Sequence, residues 1–155
     1  EKEFNLFTDY IPKNIKTVMD IGCGLGLINI FLNNNFKNII NFYLLDQNKI
    51  DHKIKYGFSK NYESYNNLLT TKKTLITNNI EEKKLNLIDV NKNYQIKDKS
   101  IDLVISLVSM GYHYPVDIYI DFLKSCSNNK TIFIFDVSEG YFNNNSFIST
   151  PIFSL

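Results

Sequence analysis

Three glycines at alternate positions, Gly22, Gly24 and Gly26, constrain this chain more than any other feature. They follow a short apolar run, Thr17–Ile21, that carries an acid, Asp20, and they precede an amphipathic stretch from Leu27 to Asn33. That order reads as strand, tight turn, helix. Glycine is required where a chain turns sharply and lets a ligand touch bare backbone. The unpaired amides of the following helix start then face that ligand. The segment therefore predicts a nucleotide-type cofactor site, set against the plainer reading of a glycine turn that only joins a strand to a helix.

Two cofactor types compete for it. A dinucleotide site takes G-x-G-x-x-G, with a third glycine three places after the second. That place, position 27, is Leu. The glycines instead run G-x-G-x-G with Asp20 two residues ahead, which resembles motif I, [D/E]-x-G-x-G-x-G, of the class I S-adenosylmethionine-dependent methyltransferases. The difference has a physical reason. A pyrophosphate seeks helix-end amides and positive potential. S-adenosylmethionine carries a sulfonium and an ammonium and no phosphate, so an acid beside the turn suits it.

Near-continuous apolar segments mark the strands: Lys16–Ile21, Ile39–Leu45, Leu85–Val90, Ile101–Leu107 and Lys130–Val137. Such strands suit a parallel sheet covered on both faces. Between them lie helical patterns over Phe4–Tyr10, Leu27–Asn33, Asn61–Asn78 and Val116–Cys126, with Pro115 placed in a first turn. Gln47–Lys60 fits no period, and Tyr56-Gly57-Phe58 reads as a turn within it. The alternation predicts a doubly wound α/β sheet, mostly parallel, with helices on both faces. The family resemblance, which covers Thr17 to Val137, implies strand order 3-2-1-4-5. Eighteen residues follow Val137, so the family's terminal antiparallel strand pair is expected to be minimal or missing. No repeat or boundary interrupts the chain, and residues 1–155 are read as one domain.

Ligands in such sheets bind at the carboxyl ends of the strands, where the order reverses. Asp46 stands there at the end of the second strand, twenty positions after Gly26. A carboxylate at that place can accept both ribose hydroxyls, and the resemblance assigns it that role, with Gln47 along the adenine. Asp89 ends the third strand. By resemblance it accepts from the adenine amino group while the Val90 amide meets the ring; a helix cap is the plain alternative. The segment Ser106–Pro115 leaves the fourth strand. It lacks the [D/N/S]-P-P-[Y/F] pattern of amino-directed DNA methyltransferases and any Pro-Cys pair. It looks more like the looser endings of small-molecule methyltransferases, which implies that the backbone of Ser106 and Leu107 lines the methionine end. His113 is the catalytic candidate, since an imidazole can take a proton from a substrate hydroxyl near neutral pH. A packing histidine is its plain alternative. Tyr112 and Tyr114 read as aromatic walls or ordinary core, Asp136 as a substrate-binding or turn acid and His52 as solvent-exposed, and no metal is expected, since Asp136 alone is no carboxylate cluster.

Composition narrows the partners. Formal net charge is +1 and every basic side chain is Lys. No global field draws the chain to nucleic acid or membrane, and Arg, the usual reader of guanine, is absent. Two cysteines, Cys23 and Cys126, are no disulfide framework. No run reaches the roughly 20 apolar residues of a membrane span. A cytoplasmic setting follows as the expectation, for a chain that opens at Glu1 and not at Met. The expected function is methyl transfer from S-adenosylmethionine, leaving S-adenosylhomocysteine, to a small-molecule acceptor, an oxygen of a sugar-like compound. A protein or nucleic-acid methyltransferase, an aminopropyl transferase and a non-catalytic S-adenosylmethionine-binding module are the alternatives. The sequence sets no oligomeric state.

Overall fold

A computed structural model describes residues 2–50, 65–92, 96, 100–112 and 114–137. In chain order the elements are α1 (Lys2–Phe7), β1 (Thr17–Ile21), α2 (Leu27–Asn35), β2 (Asn41–Asp46), β3 (Lys49–Ile50), β4 (Tyr65–Asn66), α3 (Leu68–Thr77), β5 (Leu85–Asp89), β6 (Leu103–Ser106), α4 (Ile120–Cys126) and β7 (Ile132–Phe135). Short 3-10 turns extend α1 (Thr8–Tyr10) and lead into β5 (Glu82–Lys84) and α4 (Val116–Tyr119).

Five strands form one sheet in the order β5-β2-β1-β6-β7, and every pairing is parallel. Counting only these five, the order is the 3-2-1-4-5 expected from the sequence. The labels shift because a two-residue antiparallel pair, β3 with β4, intervenes. β1 sits at the centre with every residue buried, and β6 beside it is also wholly buried. Alternation along β1 feeds two cores. Val18 joins Leu32, Phe36, Phe42, Leu44 and Leu75 under α1, α2 and α3. Met19 and Ile21 join Leu45, Val104, Leu123 and Cys126 under α4. Each such large apolar side chain contributes about 1.5–3 kcal/mol on burial. Asp102 pins the sheet's lower edge, its Oδ2 accepting from the Lys16 and Thr17 amides at 2.7 and 2.9 Å.

Strand ends differ from the sequence expectation by at most two residues, the helix expected from Val116 opens as a 3-10 turn, and one helix start differs by more. The helix expected over Asn61–Asn78 begins at Leu68, because Asn67 caps it: its side-chain oxygen accepts from the Leu69 and Thr70 amides. Tyr65 and Asn66, read as helical, are extended and pair with Ile50 and Lys49. The expected turn at Tyr56–Phe58, His52 and residues 138–155 lie outside the described residues.

Candidate cofactor site

The glycine turn closes β1. Gly22 and Cys23 donate their amides to the Leu45 carbonyl at 2.8 and 3.1 Å, tying the turn to β2. All three glycines have positive φ, at 71°, 50° and 74°. They differ in what a side chain would meet. A Cβ at Gly22 would fall 2.0 Å from Ser109 Oγ, and one at Gly26 would fall 3.0 Å from Leu75 Cδ2. One at Gly24 would meet nothing within 4 Å. The outer glycines are packed against the protein; the middle one presents backbone to open space.

The Gly24 peptide is held from both sides. Its amide donates to Asp46 Oδ2 at 2.8 Å. Its carbonyl accepts from Asn66 Nδ2 at 2.9 Å and from Thr71 Oγ1 at 2.6 Å. Asn66 and Thr71 are buried. Sequence reasoning missed both. The available signal was a threonine on the stripe Leu68, Thr71, Leu75 that α3 buries.

Of the two acids nearest the turn, Asp20 is the more enclosed. Burial pushes its carboxyl up to about 7. The hydrogen bond from Asn29 Nδ2 to Oδ2, at 2.6 Å, works against that shift, and the charge of Asp46 adds to it. Asp46 is also raised, chiefly by burial and against the hydrogen bonds it accepts. Its Oδ1 accepts from the Gln47 amide at 2.7 Å; its Oδ2 accepts from Gly24 and, at 2.9 Å, from Asn66 Nδ2. The carboxylate expected to face a ribose therefore also braces the glycine turn. Cys23 is buried between the two acids, and burial followed by their charges holds its thiol well above the ordinary range.

Asp89 pairs in register with Asp46 across the two strand ends. Its Oδ1 accepts from the Asn91 amide at 3.1 Å, with Asn48 N at 3.4 Å, and Lys92 Nζ lies 3.7 Å from Oδ2. The Val90 amide, expected to meet an adenine ring, donates to the Asp46 carbonyl at 3.0 Å. Sheet pairing thus runs one residue past β5. Ser106 ends β6. It is fully buried, its hydroxyl donates to Ile21 O at 2.8 Å, and its carbonyl accepts from the Asp136 amide. Its side chain joins β6 to the end of β1. Its Oγ accepts from Met110 N at 3.1 Å and so anchors the next turn. Within that turn Val108 has φ 56°, an outlier for a β-branched residue. Tyr112 donates its hydroxyl to Asp136 Oδ1 at 2.9 Å, a bond that raises the phenol. His113 lies outside the described residues.

A cavity of about 420 Å³ opens over the glycine turn. Asp20, Gly22 and Gly24 form its polar part. Phe4, Leu25, Leu27, Ile28, Phe31, Leu107 and Val108 supply its apolar lining. Among the sequence-expected residues, Asp20, Gly22, Gly24 and Leu107 meet there; Gly26, Asp46, Gln47, Asp89, Val90 and Ser106 stand outside its lining. Among the described residues no three His, Cys, Asp or Glu side chains come together as a metal group. No helix among them is long and apolar enough to cross a membrane.

No protein-family model and no curated protein matches the chain. Solved structures do. One is an S-adenosylmethionine dependent methyltransferase from Mesorhizobium loti, with a TM-score of 0.58 at 15% identity over 88% of this chain. Another is coclaurine N-methyltransferase bound to N-methylheliamine and SAH, with a TM-score of 0.55 at 9% identity over 86% of this chain. The chain spans 53% and 33% of the lengths of those two proteins. The fold is therefore that of the class I, Rossmann-like S-adenosylmethionine-dependent methyltransferases.

Proposed function

We propose that the chain binds S-adenosylmethionine and transfers its methyl group to a small molecule. The observation that carries this reading is the pairing of an open glycine backbone at Gly24 with a buried acid, Asp20, on one cavity floor. Bare backbone admits a ligand closely, and the acid favours a cationic end over a phosphate. In this reading Asp20 faces the methionine ammonium, and Gly22, Gly24 and Gly26 form the turn beneath it. Asp46 receives the ribose hydroxyls, with Gln47, Asp89 and Val90 around the adenine. Leu107 walls the methionine end, and Ser106 holds that wall in place. The cofactor would supply an electrophilic methyl, and the chain's task is alignment of the acceptor with it. His113 is the proposed proton acceptor for a hydroxyl.

The walls bear on the acceptor. Leu27 is 57% exposed, Val108 50% and Leu25 47%, all at the cavity. A bare polyol would find few partners there, and a buried hydroxyl without one costs about 1–3 kcal/mol. These walls support an acceptor with an apolar face beside its methylated oxygen; the sugar-like acceptor becomes the second choice. A second reading is a binding module without turnover. It keeps the same cofactor site and differs in having no acceptor to methylate.

Calorimetric titration with S-adenosylmethionine, S-adenosylhomocysteine and NAD tests the cofactor. The expected result is binding of the two sulfur nucleosides and not NAD. A folded chain that binds neither of them would end the reading. Methyl transfer in an acceptor screen then separates enzyme from module.

A further inference from the structure

Asn29 is an odd residue for its position. It lies in the first turn of α2 on the buried stripe Asn29, Leu32, Phe36, where an apolar side chain belongs. Asparagine is a poor helix former there. Its side chain is fully buried and Nδ2 is committed to Asp20 Oδ2 at 2.6 Å. Its Oδ1 has no hydrogen-bond partner, alone in this among the buried side-chain polar atoms of the described residues. An unsatisfied buried acceptor costs about 1–3 kcal/mol. The acid it serves is itself buried, at a further cost. Apolar replacements of similar volume for buried polar pairs are often neutral or stabilising, so stability gives little reason for the arrangement.

We propose that Asn29 is a positioning residue that holds the Asp20 carboxylate as a charged acceptor turned towards the cavity, ready for a cationic ligand end. This rests on the cofactor reading above and adds to it a residue outside the glycine motif. One carboxylate oxygen is fixed by Asn29 on the α2 side while the residue itself reaches the cavity floor. An amide suits this task because it has a donor end and an acceptor end. Its NH2 serves the ionised acid. Turned over, its carbonyl accepts from the protonated acid. The pair thus keeps one hydrogen bond in either state, and a cation entering the cavity selects the ionised one.

The surroundings leave the tuning to Asn29. β2 and β6 set Leu44 and Ile105 beside Asp20 in register. The titratable groups facing it are Asp46, whose charge disfavours ionisation, and the Cys23 thiol of the turn, raised and neutral. Asn29 is the one hydrogen bond that lowers Asp20.

The test is calorimetry of S-adenosylhomocysteine binding from pH 5.5 to 8.5 in the wild type, Asn29→Leu and Asn29→Ser, each also in an Asp20→Asn background. Losing the donor raises Asp20 further, so Asn29→Leu should move the rise of affinity up by about one pH unit, which weakens binding by about fivefold at pH 7 and by up to about tenfold at lower pH. The Asp20→Asn background should erase that difference. The ligand's own amine titrates in every variant alike and cancels. The unmutated chain gives a reading that needs no variant to fold. The side-chain amide signals of Asn29 should titrate together with the Asp20 carboxyl carbon, and the shared midpoint should fall when S-adenosylhomocysteine is added. Equal pH profiles in wild type and Asn29→Leu, or Asn29 signals that ignore Asp20, would overturn this inference while leaving the cofactor reading intact. A folded wild type that binds no S-adenosylhomocysteine at any pH would overturn both.

Discussion

Replacing Thr71 by Val removes one hydroxyl and almost nothing else. The side chains match in shape, both are β-branched, and their helix propensities are close. Thr71 is fully buried, so solvent cannot take over for the missing donor. The lost contact is the 2.6 Å bond to the Gly24 carbonyl. That carbonyl keeps Asn66 Nδ2 at 2.9 Å, so it is weakened and not orphaned. The loss should lie near one net hydrogen bond, about 1–1.5 kcal/mol, below the cost of a fully stranded group. For a chain of this length that lowers Tm by roughly 2–6 °C. Urea melts check it directly: the midpoint should fall while the slope stays constant. A double-mutant cycle with Asn66→Ala should return a coupling of at least about 0.5 kcal/mol, since both side chains share one acceptor. The same variant should weaken S-adenosylhomocysteine binding, because the ligand must then order the turn that α3 orders now. A stability change below about 0.3 kcal/mol with additive singles would refute the claim that α3 holds the turn.

Three further outcomes are expected. Asp20 has a folded value of about 7, above its ordinary 3.8, so the folded chain binds the proton more tightly than the unfolded one. Its contribution to stability is therefore present below about pH 4 and is lost as pH rises to about 7, at up to about 1.4 kcal/mol per pH unit; Asp46, shifted the same way, adds the same sign. Asp20→Asn should flatten that slope in denaturant titrations of the ligand-free chain, and an unchanged slope would show that Asp20 is ionised throughout. Asp46→Ala should cut cofactor affinity at least about tenfold, or roughly 1.4 kcal/mol, and should also lower stability, because three donors lose their acceptor; affinity equal to the wild type would remove Asp46 from the ribose. Gly22→Ala combines a φ of 71° with a Cβ 2.0 Å from Ser109 Oγ. It should destabilise by about 2–4 kcal/mol in thermal melts, and a neutral result would mean that the turn is looser than this contact requires.

The sheet was legible because its signal is local. Each of the five strands is a short apolar run, and a parallel sheet buried on both faces needs little else. The placement of Asp46 and Asp89 followed from the same runs, since each acid stands where apolar character stops. What escaped was set by distance along the chain. Thr71 and Asn66 reach Gly24 across 47 and 42 residues, and no periodicity encodes such a contact. The start of α3 was misread because apolar spacing alone does not say that Asn67 will cap and Asn66 will turn inward. Asn29 was visible as a position, at i relative to Leu32 and Phe36, but nothing local says that a buried amide answers to an acid nine residues earlier. Ser106 stands at the end of β6 as the apolar run implies, but the bond its hydroxyl makes to Ile21, 85 residues earlier, has no local signal.

Gly26 and Leu75 share one volume. The space a Cβ would take at position 26 is filled by the Leu75 side chain, with its three nearest atoms at 3.0–3.2 Å. That leucine also belongs to the core beneath α3, where it is fully buried. A lineage drifting away from glycine at 26 would have to hold a side chain at a φ of 74° and push Leu75 back by a few tenths of an ångström, which a smaller residue at 75 would ease at the expense of core packing. Relatives of this chain should therefore change the two positions together or not at all, and a leucine at 75 should travel with a glycine at 26.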